Sequence, residues 1–420
     1  MKISRVILKP EKEKPLKAFH PWVFSGAIDE VDDDFKSADL VRVYSSSQEF
    51  LGIGYLNPNS QIAVRILSFR DQEIDTDFFI DRMTQAKKLR EAFISADTNA
   101  YRLVHAEGDF LPGLVLDRYA DFVVAQFTTA GMEKLKPAVL DAINQVFPSK
   151  GIYEHDDESM RKKEGLETGL TVLRGEEPPD YVEILEYGHK FIVDIKKGQK
   201  TGFFLDQREN RKLVAGHVRG KRVLNCFAYT GGFSVYAAKA GAASVTSVEI
   251  QDRAINTMKT NFELNDLPII HRKGDRHMSQ DDQLPVPFSI GTNGTGEGIY
   301  RFIKEDVFDF LRTDMNVYDF IILDPPAFCK NQNQVQQAAR GYKDINLQAM
   351  KRLAPDGLLF TFSCSSYIDP DLFQKIIFGA AKDVQRNVQI IQKISHAFDH
   401  PINIYHPEGE YLKGLLLRVM

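Results

Sequence analysis

No apolar run in this 420-residue chain is long enough to cross a bilayer. The start, Met1-Lys2-Ile3-Ser4-Arg5-Val6, lacks an apolar stretch of signal-peptide length. Neither membrane insertion nor secretion is therefore expected. Cysteine is scarce: Cys226, Cys329 and Cys364 show no CxxC spacing, so neither a disulfide framework nor a zinc site is suggested, and no metal is assigned. A reducing cytoplasm is the expected compartment. Strong positive charge is missing too, with 53 Lys and Arg against 58 Asp and Glu. That deficit excludes a wholly basic nucleic-acid binder but leaves room for a local patch. Residues 1–22 hold six basic side chains against Glu11 and Glu13, and residues 194–222 hold nine against Asp194, Asp206 and Glu209. Each stretch alone reads equally well as a solvated charged face.

What is present is a globular composition, 43% hydrophobic and 26% charged, on a chain too long for one ordinary core. Two or three domains are expected. Residues 1–70 carry short strand patterns at 41–43, 50–55 and 62–67 around the turn Asn57-Pro58-Asn59-Ser60, and suggest a small β-barrel. Residues 71–185 read as a small mixed α/β unit, with helices at 77–93 and 132–146 and strands at 114–117, 122–127 and near 152 and 170. From 186 to 420, strand patterns at 222–227, 245–249, 320–323 and 358–362 alternate with helices. This repetition predicts an α/β, doubly wound parallel sheet covered on both faces. The runs 388–394 and 412–419 have no good helix between them and suggest a terminal antiparallel pair. Residues 268–300 interrupt the pattern with a polar, Gly/Pro-rich stretch and read as a surface insertion, because no Gly-Lys-Ser/Thr follows its glycines.

The strongest local signal is Asn225-Cys226-Phe227-Ala228-Tyr229-Thr230-Gly231-Gly232-Phe233, an apolar strand running into paired glycines and a helix. Glycine lets the backbone approach a ligand and take positive φ without strain. Glu249, eighteen residues beyond Gly231, ends the next strand, where a carboxylate can accept both hydroxyls of a ribose. Adjacent glycines in place of G-x-G-x-x-G count against a nicotinamide dinucleotide. The later strand ending Leu323-Asp324-Pro325-Pro326-Ala327-Phe328 points the other way, towards a base. Prolines fix φ and free carbonyl oxygens beside the Asp324 carboxylate, a turn suited to the edge of a planar base, with Phe328 to stack or pack. Cys364 leaves the neighbouring strand into a Ser-rich turn, a placement that suits a nucleophile as well as a small buried hydrophobe. Asp306 opens a helical stretch, where it could meet an adenine amino group or cap the helix.

Taken together, Asn225-x-Phe227-x-Tyr229-Thr230-Gly231-Gly232-Phe233, Asp324-Pro325-Pro326, Arg340-Gly341-Tyr342-Lys343-Asp344-Ile345-Asn346 and Thr361-Phe362-Ser363-Cys364-Ser365 resemble the RlmI-type family, cytosine-C5 methyltransferases of large-subunit ribosomal RNA. Lys200-Thr201-Gly202-Phe203-Phe204-Leu205-Asp206-Gln207-Arg208 and His20-Pro21-Trp22-Val23-Phe24-Ser25-Gly26 extend the likeness over nearly the whole chain, and residues 268–300 depart from it. The resemblance implies a PUA-like RNA-binding barrel at 1–70, an intervening domain at 71–185 and a class I, Rossmann-like methyltransferase domain at 186–420. It implies S-adenosylmethionine as cofactor, held by Asn225, Phe227, Tyr229, Thr230, Gly231, Gly232, Glu249, Asp306 and Asp206. Cys364 and Asp324 would be catalytic, with Pro325, Pro326 and Phe328 around the base. The implied partner is large-subunit ribosomal RNA, with a homodimer left open. Three rivals stand beside this reading: a base N-methyltransferase built on the Asp-Pro-Pro-aromatic turn, an RNA-binding ribosome assembly factor, and a nicotinamide-dependent oxidoreductase.

Overall fold

The structure, a computed structural model, describes residues 3–267 and 298–420. All but the last three residues of the sequence-predicted insertion lie outside the described residues. Ile299 and Tyr300, assigned to that insertion by their polar surroundings, instead begin a strand. The described chain divides into two compact units: Met1–Gly188 with Val193–Asp206 and Ala397–Gly409, and His189–Ile192 with Gln207–His396 and Glu410–Met420.

The first unit holds a six-stranded sheet in the order Trp22–Phe24, Ile62–Ser68, Phe50–Leu56, Leu40–Tyr44, Ser4–Leu8, Ile28–Val31. Three of these, Ser4–Leu8, Trp22–Phe24 and Ile28–Val31, are not among the strands expected from the sequence; the last two are only three and four residues long. A five-stranded sheet follows, running Leu170–Gly175, Gly151–His155, Phe122–Phe127, Leu114–Tyr119, Ala100–His105. The helix Thr76–Phe93 buries Phe78, Phe79, Met83 and Ala86, and Asp75 caps it by accepting the Phe78 N–H at 3.0 Å. The helix expected over 132–146 is split into Ala130–Lys134 and Lys136–Val146, because Pro137 cannot continue the hydrogen-bond ladder and sits in a new first turn. Residues 397–409, far along the sequence, are tied into this unit by buried polar contacts. Arg90 makes paired bonds of 2.6 and 2.7 Å to Asp109 and donates to the Asp399 carbonyl at 2.7 Å.

The second unit is one seven-stranded sheet with helices on its faces. Its strands are β1 (Arg222–Cys226), β2 (Ser244–Glu249), β3 (Ile299–Lys304), β4 (Tyr318–Leu323), β5 (Leu353–Ser363), β6 (Val388–Ile394) and β7 (Lys413–Val419). Its helices are α1 (Arg208–Ala215), α2 (Gly232–Lys239), α3 (Asp252–Leu264), α4 (Val307–Thr313), α5 (Val335–Arg352) and α6 (Pro370–Val384). Every residue of β2 is buried, the pattern of a parallel strand covered on both faces. The order is β3-β2-β1-β4-β5-β7-β6, parallel throughout except for β7, which runs antiparallel to both β5 and β6. The expected antiparallel pair is therefore β6 and β7, with β7 inserted beside β5. The strand order reverses between β1 and β4, and in an open α/β sheet ligands bind beyond the carboxyl ends of the strands at such a switch. The glycine turn follows β1 and the Asp-Pro-Pro turn follows β4.

Removing one partner of a buried ion pair strands the other charge in a low-dielectric interior. Asp109→Ala should cost about 3–5 kcal/mol of stability in urea unfolding of the first unit, because Arg90 loses its bidentate acceptor. A loss below about 1 kcal/mol would show that Arg90 does not depend on Asp109.

Candidate active site

Three residues of the glycine turn take left-handed backbone angles: Phe227 (φ 58°), Tyr229 (φ 48°) and Gly231 (φ 82°). At Gly231 the helix α3 also comes close, since a Cβ there would lie 2.3 Å from Met258 Cγ. The turn is strapped to β2 and α3 by hydrogen bonds. Ala228 N–H donates to the Val248 carbonyl at 3.0 Å, Tyr229 N–H to Glu249 Oε2 at 2.9 Å, and Asn261 Nδ2 to the Thr230 carbonyl at 2.9 Å. Glu249 Oε1 also accepts the Ile250 and Gln251 N–H groups at 2.9 and 3.0 Å. A carboxylate offers about four acceptor positions, so three are used and about one remains for an outside hydroxyl. The buried Thr230 hydroxyl has no hydrogen-bond partner among the described residues, a deficit of roughly 1–3 kcal/mol that a polar atom of a ligand would relieve.

Two of the sequence-predicted cofactor residues also make internal hydrogen bonds. Asn225 is fully buried and donates to Ser234 Oγ at 2.8 Å, which meets Ser247 Oγ at 2.7 Å, a chain that joins β1, α2 and β2 beneath the turn. Asp306 caps α4 by accepting the Phe308 and Asp309 N–H groups at 2.8 and 3.3 Å. Its position is nonetheless close to Glu249 in the sheet, because the Glu305 N–H donates to the Glu249 carbonyl at 3.3 Å. Asp206 falls in the first unit, one residue before the second begins.

Beyond β4, Asp324 is half-buried and accepts Gln207 Nε2 at 3.0 Å. Gln207 is itself held by Asn210 Nδ2 at 2.6 Å, and Asn210 also donates to the Ser395 carbonyl at 3.2 Å. Gln207 and Asn210 were not singled out from the sequence, although Gln207 lies in the 200–208 stretch that carries the family resemblance. Phe328 packs into an aromatic group with Tyr342 (centroids 4.6 Å apart), Phe308 (5.8 Å) and Phe227 (6.4 Å). It thereby joins the turn after β4 to the turn after β1. Pro325 is buried and Pro326 exposed.

The turns after β4 and β5 meet at sulfur. Cys364 Sγ lies 3.8 Å from the Pro325 carbonyl oxygen, and the residue is half-buried. Next to it Ser365 is fully buried. Its hydroxyl meets Tyr342 OH at 2.9 Å and accepts the Cys329 N–H at 3.2 Å. The other two thiols are shut in. Cys329 donates to the Asn331 carbonyl at 3.1 Å, and Cys226 is wholly inside β1, where burial pushes its thiol well above the usual range.

The glycine turn and strand-terminal acid lie at the switch point of a β3-β2-β1-β4-β5-β7-β6 sheet, and with the matches that follow they place the chain among class I methyltransferases that use S-adenosylmethionine. Residues 161–275 match the S-adenosylmethionine-dependent methyltransferase family, and residues 6–69 match the PUA-like domain family. Among curated proteins, the chain is 42% identical over 417 residues to a ribosomal RNA large subunit methyltransferase I of Photobacterium profundum, spanning 98% of each chain. It is 43% identical over 422 residues to the protein of that name from Pseudoalteromonas atlantica, spanning 99% of this chain and 100% of the other. Two solved structures cover the full length of both chains at 26% identity: a methyltransferase complexed with SAH (TM-score 0.81) and a SAM-dependent methyltransferase from Streptococcus mutans (TM-score 0.80). The chain belongs to the ribosomal RNA large subunit methyltransferase I family.

The three cysteines should separate cleanly by reactivity. Treating the native protein with iodoacetamide at neutral pH and mapping the peptides should find label on Cys364 first, with Cys226 and Cys329 labelled only after denaturation. Comparable labelling of all three in the folded protein would contradict the burial described here.

Proposed function

We propose that the chain methylates C5 of a cytosine in large-subunit ribosomal RNA, through a transient bond between Cys364 and C6 of the base. The supporting observation is the approach of Cys364 Sγ to the Pro325 carbonyl, which puts the half-buried cysteine at the mouth of the Asp-Pro-Pro turn. Names of full-length relatives support the RNA class. In this reading residues 1–70 bind RNA, 71–185 form the intervening domain, and 186–420 carry out transfer. The target base must be unpaired or flipped to reach such a pocket.

Thr230 and Glu249 are the proposed contacts of the chain to the cofactor, with the positive-φ backbone of residues 227–231 shaping its seat. When bound there, S-adenosylmethionine supplies an electrophilic methyl group. C5 of cytosine is a poor nucleophile until sulfur adds next to it. The Cys364 thiolate would donate a pair to C6 and push the C5–C6 π pair onto C5, where that pair would form the bond to the methyl group as the S–methyl bond breaks and its pair stays on the cofactor sulfur. Loss of the C5 proton would then leave the C5–H pair to restore the C5–C6 double bond, and the C6–S pair would leave with the Cys364 thiolate. Asp324, steadied by Gln207, holds the base edge and stabilises the ring in its protonated form, where a fixed charge contributes most.

Nucleoside mass spectrometry of RNA methylated by the purified protein tests the reading: 5-methylcytidine is expected, and a methyl on the exocyclic nitrogen would shift the assignment to N-methylation. Cys364→Ala should abolish transfer while cofactor affinity stays within about twofold by calorimetry. Glu249→Ala should weaken that affinity about ten- to a hundred-fold, since hydrogen bonds to a charged group contribute on the order of 1.5–3 kcal/mol. Unchanged affinity would remove Glu249 from the cofactor site.

A further inference from the structure

Outside the reacting groups, the described residues hold a buried cation in unusual surroundings. Lys413 opens β7 directly across from Ser363 of β5, the residue before Cys364. Its side chain is 4% exposed, and its ammonium donates to the Ser365 carbonyl and the Tyr411 carbonyl, both at 2.7 Å. It therefore lies against the peptide that follows Cys364. Neither partner is a carboxylate. An ammonium carries three N–H donors, and the third has no partner among the described residues.

A cation kept out of water without a directly bonded anion is costly, and a buried group so perturbed marks a candidate functional position. Among the described residues, the titratable groups near Lys413 include Tyr411, whose carbonyl it bonds, and His396, which accepts the Leu412 N–H at 2.9 Å. Cys364 and Asp369 lie in the segment after β5, Glu410 lies just ahead of β7, and Tyr342 of α5 reaches Ser365. Burial holds the Lys413 ammonium down, to about 8, and Cys364 is the strongest of the influences that draw it back up. At neutral pH it remains mostly protonated. Resting on the assignment of Cys364 as the nucleophile, we propose that Lys413 is a positioning residue for the transfer reaction, its buried ammonium favouring the thiolate of Cys364 before addition and again on release from C6.

An opposite charge near an ionisable group shifts its ionisation by about one to three pH units, and the Lys413 ammonium is bonded to the residue after Cys364. Lys413→Met should therefore move the pH midpoint of Cys364 alkylation by iodoacetamide upward by about one unit or more, slowing labelling at pH 7 roughly tenfold. Lys413→Arg, which keeps the charge, should retain most of the wild-type profile. Methyl transfer by Lys413→Met should fall in kcat at pH 7 and recover towards higher pH, with S-adenosylmethionine affinity unchanged. An alkylation profile identical to wild type would overturn the proposal. Equal loss in both variants together with weaker cofactor binding would do the same, by exposing a structural role. The two readings fail separately: a Cys364→Ala protein that still transfers methyl removes the nucleophile assignment, whereas the alkylation profile reports the influence of Lys413 on the thiol in either case.

Discussion

Ser365 fixes the geometry of the reacting end of the sheet. Its hydroxyl bonds Tyr342 of α5 and the Cys329 backbone of the turn after β4, and its carbonyl receives the Lys413 ammonium from β7. The turn after β4, the helix α5 that follows it and the distant strand β7 are thus tied to one buried residue. Cys364 has little conformational choice between Ser365 and the buried end of β5, and it faces the Pro325 carbonyl as a consequence. Loss of the Ser365 hydroxyl would deprive the buried Cys329 N–H of its acceptor, while the Ser365 carbonyl is shared by Lys413 and the Ile368 N–H, so the turn is held by several linked bonds.

The opposite half of the switch point is organised by Glu249. Its carboxylate collects three backbone N–H groups from two turns and so sets the conformation of Tyr229 beside its own loop. Structural and proposed cofactor-binding duties coincide in one side chain. The aromatic group around Phe328 then links this turn to the Asp-Pro-Pro turn, so the proposed seats of cofactor and base are packed on one another.

Signals carried by local chemistry were legible in the sequence. Gly231 needs positive φ, prolines end β4, and the β–α alternation gives a parallel sheet; each follows from a few neighbouring residues. What was hidden depends on distance along the chain. Gln207 meets Asp324 across 117 positions, and Lys413 meets Ser365 across 48, with no local pattern to announce either contact. Strand β3 was missed because it is an edge strand, only partly buried, and carries no continuous apolar run. The motif residues Asn225 and Asp306 show the converse, for a position inside a family pattern can be occupied with internal bonds. Asn225 braces the floor of the turn, and Asp306 caps a helix.

The central claim is that sulfur of Cys364 bonds to the base during transfer. An RNA substrate with 5-fluorocytosine at the target, incubated with the protein and S-adenosylmethionine, tests it directly, because fluorine cannot leave C5 as a proton does. The account expects a denaturation-resistant protein–RNA adduct whose peptide map places the linkage on Cys364, and none with Cys364→Ala. Turnover of the normal substrate without any trapped adduct on the fluorinated one, or an adduct on Cys329, would contradict it.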